Sequence, residues 1–357
     1  MTLAGACVIG ASLTGFAATD AAQTNAEDAV AALQAIAPQA LSGVATTRGA
    51  EGTAVEAPTP EGASVEVPDD PSDGVTLGTP DDRVGVTIGL PFADQATDAA
   101  ESQRDGVVVY DNMNGSSTVP VARSDGSAQI ITVIDNAGAP KRYEYPVELP
   151  PGASLALADD GSVESVGAED ENAPVLHVAT PWAKDANGDK VPTHYEVSGS
   201  TLTQVIDFTK GSAFPIVADP ATYVDYTKSE VINLRDYGAQ TKWRYLNGCS
   251  AAAGKSCSIS RTYTVNATVE TALNVSAATV GASIGVSAGA GLSVAVTCGI
   301  SRGPASVSLY AQAVKKTYQV RTTRYYGVPV PGRGLSTQVK TSGTLTAYKP
   351  NGRYSCV

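Results

Sequence analysis

Apolar and small polar residues alternate along the chain, most regularly over Thr262–Thr297. In this stretch the apolar residues occupy odd positions as far as Val275 and even positions from Val280 onward. A period of two is typical of β-strands, and a change of phase indicates a bulge or a turn near Ala278. The stretch contains a single charged residue, Glu270.

We predict a hairpin here, with strands at Val280–Ala288 and Leu292–Cys298 and a turn at Gly289-Ala290-Gly291. Its apolar face consists of Val280, Ile284, Val286, Leu292, Val294 and Val296. This face either packs in the core of an ordinary antiparallel sheet or enters a membrane, because a transmembrane strand needs about nine to eleven residues with one apolar face. The sequence leaves both interpretations open.

The remainder of the chain is predicted to be mainly β. Short alternating runs between turn residues predict a β-sandwich over residues 84–223 and a second antiparallel β-domain over residues 241–357, with a connector at residues 224–240. Residues 27–83 are expected to form a short helix, which ends before Pro38, and an acidic, proline-rich linker. The capping-box spacing at Thr24 marks the expected start of that helix.

Residues 1–26 are rich in apolar and small side chains and are expected to be the remnant of a signal peptide. The run Gly15-Phe16-Ala17-Ala18 has the small residues of a cleavage site. We therefore expect a secreted or extracellular protein, associated with the cell surface if the basic domain binds there.

Three runs of the predicted sandwich resemble a module of secreted actinobacterial proteins. They are Pro181–Gly188, His194–Val197 and Phe214–Pro220, and the last has the form of a "YPVxADP" sequence that closes a β-domain. The resemblance extends over about Ser124–Tyr223 and implies secretion and a domain boundary, but no chemistry. The C-terminal part resembles the Ser/Thr-rich hairpins of aerolysin-like pore-forming proteins in texture, which implies insertion of a β-hairpin.

The charge of the chain is divided unevenly. The net charge is −12, yet the part from Gln240 onward has thirteen Lys and Arg and one acidic residue. The acidic balance of the whole argues against a nucleic-acid partner, whereas the basic part, with its interleaved tyrosines, favours an anionic lipid or a cell-wall polymer. The candidate anion-binding residues are Lys315, Lys316, Arg321, Arg324 and Arg333. A solvated sheet face with tyrosines packed across strands is the alternative interpretation.

Four of the five cysteines lie in the basic part of the chain. Their even number, the expected secretion and the lack of a nearby histidine favour disulfides over a metal site. Three pairings are possible, and we favour Cys249–Cys257 with Cys298–Cys356.

No catalytic or metal-binding residues are predicted. Gly281–Gly285 and Gly285–Gly289 match the nucleophile-elbow pattern, but both lie in the alternating stretch, and His177 and His194 precede them in the chain. We expect a non-enzymatic protein without a cofactor, although a mechanism that uses carboxylates alone stays open.

The favoured function is that of a secreted protein whose basic β-domain binds an anionic cell surface and inserts an uncharged hairpin, in a pore-forming manner that would involve oligomerisation. The alternative is a structural or adhesive cell-wall protein without membrane activity. A long sheet with a tucked hairpin would favour insertion, and a compact sandwich would favour binding.

Overall fold

The computed structural model describes residues 14–80, 85–102, 104–330 and 334–357, and its chain divides into two compact units. The first unit takes in the chain as far as Tyr226 together with Tyr325–Ser336. The second unit comprises Thr227–Arg324 and Thr337–Val357. The boundary at Tyr226 falls close to the predicted end of the sandwich at residue 223.

The described residues form two α-helices, α1 (Thr14–Ile36) and α2 (Ala277–Ile284), and twenty-three strands. The strands of the first unit are β1 (Thr53–Pro58), β2 (Ser64–Pro68), β3 (Val75–Gly78), β4 (Val86–Ile88), β5 (Ala100–Glu101), β6 (Val108–Asp111), β7 (Ser116–Ala122), β8 (Ala128–Ile134), β9 (Arg142–Glu148), β10 (Ser154–Leu157), β11 (Val163–Val166), β12 (Val175–Val178), β13 (Trp182–Lys184), β14 (Thr193–Ser198), β15 (Thr201–Ile206) and β16 (Ile216–Asp219). Those that follow are β17 (Ala221–Ala251), β18 (Cys257–Asn266), β19 (Thr268–Val269), β20 (Gly291–Ile300), β21 (Ala305–Val330), β22 (Gly334–Thr341) and β23 (Leu345–Cys356).

Antiparallel sheets dominate the fold, so the prediction of a mainly β protein is confirmed. In the first unit one sheet has the order β1-β2-β3-β4-β9-β15-β14. A second sheet has the order β10-β11-β12-β17-β8-β7-β6-β5, and β16 pairs with both β8 and β13. Buried residues of both sheets form one hydrophobic cluster, as in a β-sandwich.

The burial of each strand follows from what covers its faces. In β9, Tyr143, Tyr145 and Val147 are buried and the residues between them are exposed, which is the pattern of a strand covered on one face. Strand β8 is buried at every position. Its Ile130 faces the sandwich core, and its Ile131 packs in a second cluster with Leu33 of α1.

The predicted linker is wrong, because residues 53–78 form β1, β2 and β3 of the sandwich. Val55, Val65 and Leu77 are buried in its core. The prolines do not prevent this, since Pro58 and Pro68 stand at the last positions of their strands. Proline is tolerated at strand ends, where no ladder hydrogen bond from its nitrogen is needed.

The first helix begins earlier than predicted. It starts at Thr14, so Thr24 lies inside the helix and is not its N-cap. Alanine is frequent between Thr14 and Thr24 and is the strongest helix former, which explains the extension. The predicted end before Pro38 is confirmed. The signal-peptide prediction for residues 1–13 lies outside the described residues.

The connector predicted at residues 224–240 is wrong, since these residues belong to the 31-residue strand β17. In the second unit, β21 pairs with β17, β22 and β23, while β18 and β20 pair with each other. Two small hydrophobic clusters lie in this unit, one around α2 and one against the β18–β20 hairpin.

Candidate functional site

The β18–β20 hairpin is the most regular feature of the second unit. Ten consecutive residues of each strand pair without a bulge, from Cys257 opposite Ile300 to Asn266 opposite Gly291. One face carries hydroxyl groups, and the Oγ1 of Thr264 lies 3.0 Å from the Oγ of Ser293. The other face carries apolar residues, including Ile259 and Val296, which pack in one cluster with Val307 and Leu309 of β21.

Two disulfides hold this hairpin at one end. Cys249–Cys257 and Cys298–Cys356 have sulfur–sulfur distances of 2.20 and 2.17 Å, which confirms the favoured pairing. Cys257 lies opposite Ile300, and Cys298 lies opposite Ile259. The strands are therefore fastened near one end of the ladder, and the segment between Cys257 and Cys298 contains only two charged residues, Arg261 and Glu270.

The two strands are connected by residues 267–290, which contain α2. The Oγ of Ser276 accepts a hydrogen bond of 3.0 Å from the backbone nitrogen of Thr279, as an N-cap residue does. Gly285 ends the helix with a φ of 68°, the left-handed conformation that glycine adopts readily. The helix therefore has a capping residue at each end.

The connection packs on the sheet through a small apolar cluster. Val275, Val280 and Ile284 are buried against Tyr318 and Val320 of β21 and neighbouring residues. Gly281 lets the chain after α2 fold back against the helix, because a Cβ at this position would lie 2.4 Å from the carbonyl oxygen of Val286.

Two lysines bind the C-terminal end of α2. The Nζ of Lys316 donates a hydrogen bond of 2.7 Å to the carbonyl oxygen of Ile284, and the Nζ of Lys349 lies 3.3 Å from that of Gly285. Cations at this end of a helix interact favourably with the unpaired carbonyl groups. Lys316 also lies 3.2 Å from the carboxylate of Asp236. The pKa of Asp236 is lowered, first by a hydrogen bond from the Gly238 backbone and then by Lys316.

Glu270 binds the N-terminal part of the connection to β21 and β23. Its carboxylate accepts a hydrogen bond of 2.7 Å from the backbone nitrogen of Thr346, and its carbonyl oxygen accepts one of 2.5 Å from the Tyr318 hydroxyl. Burial raises the pKa of Tyr318 to about 12, with a further contribution from the negative charge of Glu270. We call the contacts of Glu270, Tyr318, Lys316 and Lys349 the clasp.

The six predicted hairpin residues lie on β20, on α2 and in the segment that follows α2, so that prediction is wrong in detail. Leu292, Val294 and Val296 lie on β20, whose partner is β18 and not residues 280–288. Val280 and Ile284 lie on α2, and Val286 lies beyond its C-cap. The residues of this segment are small and fit helix or strand, and the two caps decide for the helix here.

The candidate anion-binding residues do not form one surface. Lys316 pairs with Asp236, and Arg321 pairs with Glu230 at 2.7 Å. The Nζ of Lys315 lies 5.7 Å from the ring centroid of Tyr237. Arg324 lies in β21, and Arg333 lies outside the described residues. Arg235, which was not among the candidates, is exposed on β17 in the segment taken for a connector.

The histidines lie in the first unit. His177 stacks on Tyr223 with ring centroids 4.9 Å apart, between Glu164 and Asp225 at 3.5 Å each. His194 lies 3.6 Å from Glu196. Within the described ranges, no group of three or more His, Cys, Asp or Glu side chains is arranged to hold a metal ion.

Comparison with known proteins finds no matching family model, no matching curated protein and no matching solved structure. Among the described residues, none of the helices combines the length and the apolar character needed to cross a bilayer.

Proposed function

We propose that this chain is a secreted, non-enzymatic protein whose second unit binds an anionic membrane and inserts the β18–β20 hairpin after residues 267–290 have joined it as strand. The observation that carries the proposal is the agreement between the hairpin register and the alternation of the residues beyond it.

The ladder ends at Ala267, whose backbone nitrogen donates a hydrogen bond of 2.9 Å to the carbonyl oxygen of Ala290. In the resting structure the register shifts by one residue at this point, because the carbonyl oxygen of Ala267 accepts a hydrogen bond of 3.0 Å from the backbone nitrogen of Gly289. Continuing the register of the hairpin residue by residue would pair Val269 with Ala288, Leu273 with Ile284 and Ala277 with Val280. The tip would then fall at Ala278 and Thr279, where the apolar positions change phase.

A change of phase at the tip keeps the apolar residues of both strands on one face. In the continued register this face would carry Ala267, Val269, Thr271, Leu273, Val275 and Ala277 opposite Ala290, Ala288, Val286, Ile284, Ala282 and Val280. Glu270 would fall on the other, hydroxyl-bearing face. An apolar face and a wet face are what a membrane hairpin requires.

The disulfides and the lengths agree with this arrangement. A membrane strand of about ten residues that ends at the fastened Cys298 covers roughly residues 288–297. Arg261, the one cation on the apolar face, lies opposite Val296 and so would stay near the headgroups. One hairpin leaves two unpaired strand edges, which a bilayer does not tolerate, so insertion requires several copies that close a barrel.

A disulfide that ties the connection to the sheet tests the proposal. Val269 and Ala347 lie opposite each other in the β19–β23 pair. In the neighbouring pair, the backbone nitrogen of Glu270 donates a hydrogen bond to the carbonyl oxygen of Thr346. Because hydrogen-bonded and non-hydrogen-bonded pairs alternate in an antiparallel ladder, Val269 and Ala347 form a non-hydrogen-bonded pair, with Cα atoms about 4.5 Å apart. This distance suits a disulfide.

The full-length V269C/A347C variant, with the cross-link verified by mass spectrometry, should bind anionic vesicles but release no trapped dye. The V269S/A347S variant has side chains of similar size without the cross-link and should release dye like the native chain. Equal release by all three proteins would refute the proposal.

A structural or adhesive cell-wall protein is the second candidate. This candidate is favoured because Ile259 and Val296, on the apolar face of the hairpin, are already buried within the second unit. This function predicts binding to purified cell wall, without binding to or leakage from anionic vesicles.

A further inference from the structure

The second unit has an excess of cations that its own acidic residues do not neutralise. It contains fourteen Lys and Arg and three acidic residues. Glu230 pairs with Arg321, Asp236 pairs with Lys316, and Glu270 binds the Thr346 backbone. All three acidic residues are thus engaged within the unit.

Arg235, Tyr237 and Lys315 lie together on one face of the β17–β21 pair. The Nζ of Lys315 lies 5.7 Å from the Tyr237 ring centroid. Consecutive residues of a strand point to opposite faces, so this group lies on the face opposite the Asp236–Lys316 pair. Tyr237 is 51% exposed, and Arg235 is also exposed.

The environment of these three residues favours negative charge. The pKa of Tyr237 is lowered, first by a hydrogen bond from the Thr317 side chain and then by the charges of Arg235 and Lys315. Within the part of the chain that the structure describes, neither Arg235 nor Lys315 has an ion-pair partner.

We propose that Arg235, Tyr237 and Lys315 form a binding site for a phosphate-type anion, and that its occupant is the phosphodiester of an anionic lipid headgroup. Arginine binds phosphate oxygens through two parallel N–H donors, and lysine adds a compact charge. A half-exposed tyrosine suits the boundary between headgroups and acyl chains. This inference rests on the proposed function, because it names what recruits the second unit to a membrane.

The site is separate from the clasp. Lys316, the residue after Lys315, points to the end of α2, where it binds the Ile284 carbonyl. An anion on Lys315 therefore approaches from the other face of the strand and leaves the contacts of α2 intact. A headgroup could stay bound while residues 267–290 leave the sheet.

Vesicle co-sedimentation of the full-length protein tests the site. The vesicles consist of phosphatidylcholine with or without phosphatidylglycerol. The R235Q/K315Q variant should partition about 30-fold more weakly to the anionic vesicles, as expected for the loss of two basic residues beside an anionic surface. The matched control R302Q/R353Q removes the same charge from two other exposed positions of the second unit and should change partitioning less than about 3-fold.

Equal losses in the two variants would show that bulk charge recruits the protein and would overturn the site. Binding of inorganic phosphate by the native chain and not by R235Q/K315Q, together with equal partitioning of the two proteins to anionic vesicles, would overturn the assignment to a lipid and leave a site for free phosphate.

A second arm separates this proposal from hairpin insertion. A His-tagged chain held on vesicles by a nickel-chelating lipid needs no anionic lipid for recruitment. R235Q/K315Q should then release dye as the native chain does, which supports a role in recruitment only. Normal binding to anionic vesicles without dye release by the native chain would refute insertion and leave the site standing.

Discussion

Leu292 and Ala295 offer a direct test of which face of the hairpin meets lipid. They lie three residues apart on β20, on opposite faces, and both are exposed, Leu292 to 39%. A lysine at either position should therefore change the free energy of unfolding by no more than about 0.5 kcal/mol. Neither side chain donates or accepts a hydrogen bond that the substitution would remove.

The two variants should differ once the hairpin is inserted. Counted back from Cys298, Leu292 lies near the middle of the roughly ten residues that would cross the bilayer. A lysine facing lipid there costs about 2–4 kcal/mol, whereas a lysine on the wet face costs little. L292K should therefore need about 30- to 900-fold more protein than A295K for the same dye release.

The assay is dye release from anionic vesicles over a series of protein concentrations, with thermal melts to show that both variants are folded. A295K should behave as the native chain does. If L292K releases dye as well as A295K does, the apolar face does not enter the membrane and the reasoning fails.

Two further predictions concern stability and the docked connection. Burial raises the pKa of Asp219 to about 7 from 3.8, so at intermediate pH the folded state holds a proton that the unfolded state has lost. The contribution of Asp219 to the free energy of unfolding should therefore fall by about 1.4 kcal/mol per pH unit as the pH rises from about 4 to 7. Asp135, whose pKa burial raises to about 6, affects both proteins alike, so chemical denaturation should show a slope that differs by this amount between the native chain and D219N. Equal slopes in the two proteins would contradict the assignment. A Cβ at Gly281 would collide with the Val286 carbonyl, so G281A should destabilise the resting conformation of residues 267–290 by about 1–3 kcal/mol and speed dye release. G343A, with open space around it, should leave both unchanged. Slower dye release by G281A would contradict a resting state that residues 267–290 must leave before insertion.

The sequence was sufficient for the fold class, which rests on a local and regular signal, whereas the confirmed disulfide pairing was one of three that the four cysteines allow. The alternation in β9 and the largely apolar sequence of β8 follow directly from one or two covered faces. It was insufficient for residues 53–78, where acidic residues and prolines indicated a linker. The apolar positions of β1 and β2 are few, and only their pairing with each other and with β3 buries them.

The candidate site shows a different limit of sequence reasoning. The alternation of residues 280–288 predicts a strand, while Ser276 and Gly285 provide the caps of a helix. Both signals are present in one segment, and in this structure the two caps favour the helix, which packs against Tyr318 and Val320. A pattern that suits two conformations is also what a segment with two functional states requires.

The candidate cations could not be sorted from sequence because their partners are distant along the chain. Arg321 and Glu230 are ninety-one residues apart, and local sequence spacing cannot reveal a contact over such a distance. Lys315 and Lys316 are neighbours in the sequence and yet have different surroundings, since a strand turns them to opposite faces.

The central claim is that, in a membrane, α2 unfolds, the clasp contacts break, and residues 267–290 extend the two strands of the hairpin. Spin labels placed singly at each position from 279 to 297 measure this through their accessibility to lipid-soluble oxygen and to a water-soluble relaxation agent. On anionic vesicles, labels at about residues 288–297 should alternate, with even positions in lipid and odd positions in water, and labels at residues 279–287 should lose the helical period of α2. A helical period that persists on the vesicles, or labels that remain in water throughout, would contradict it.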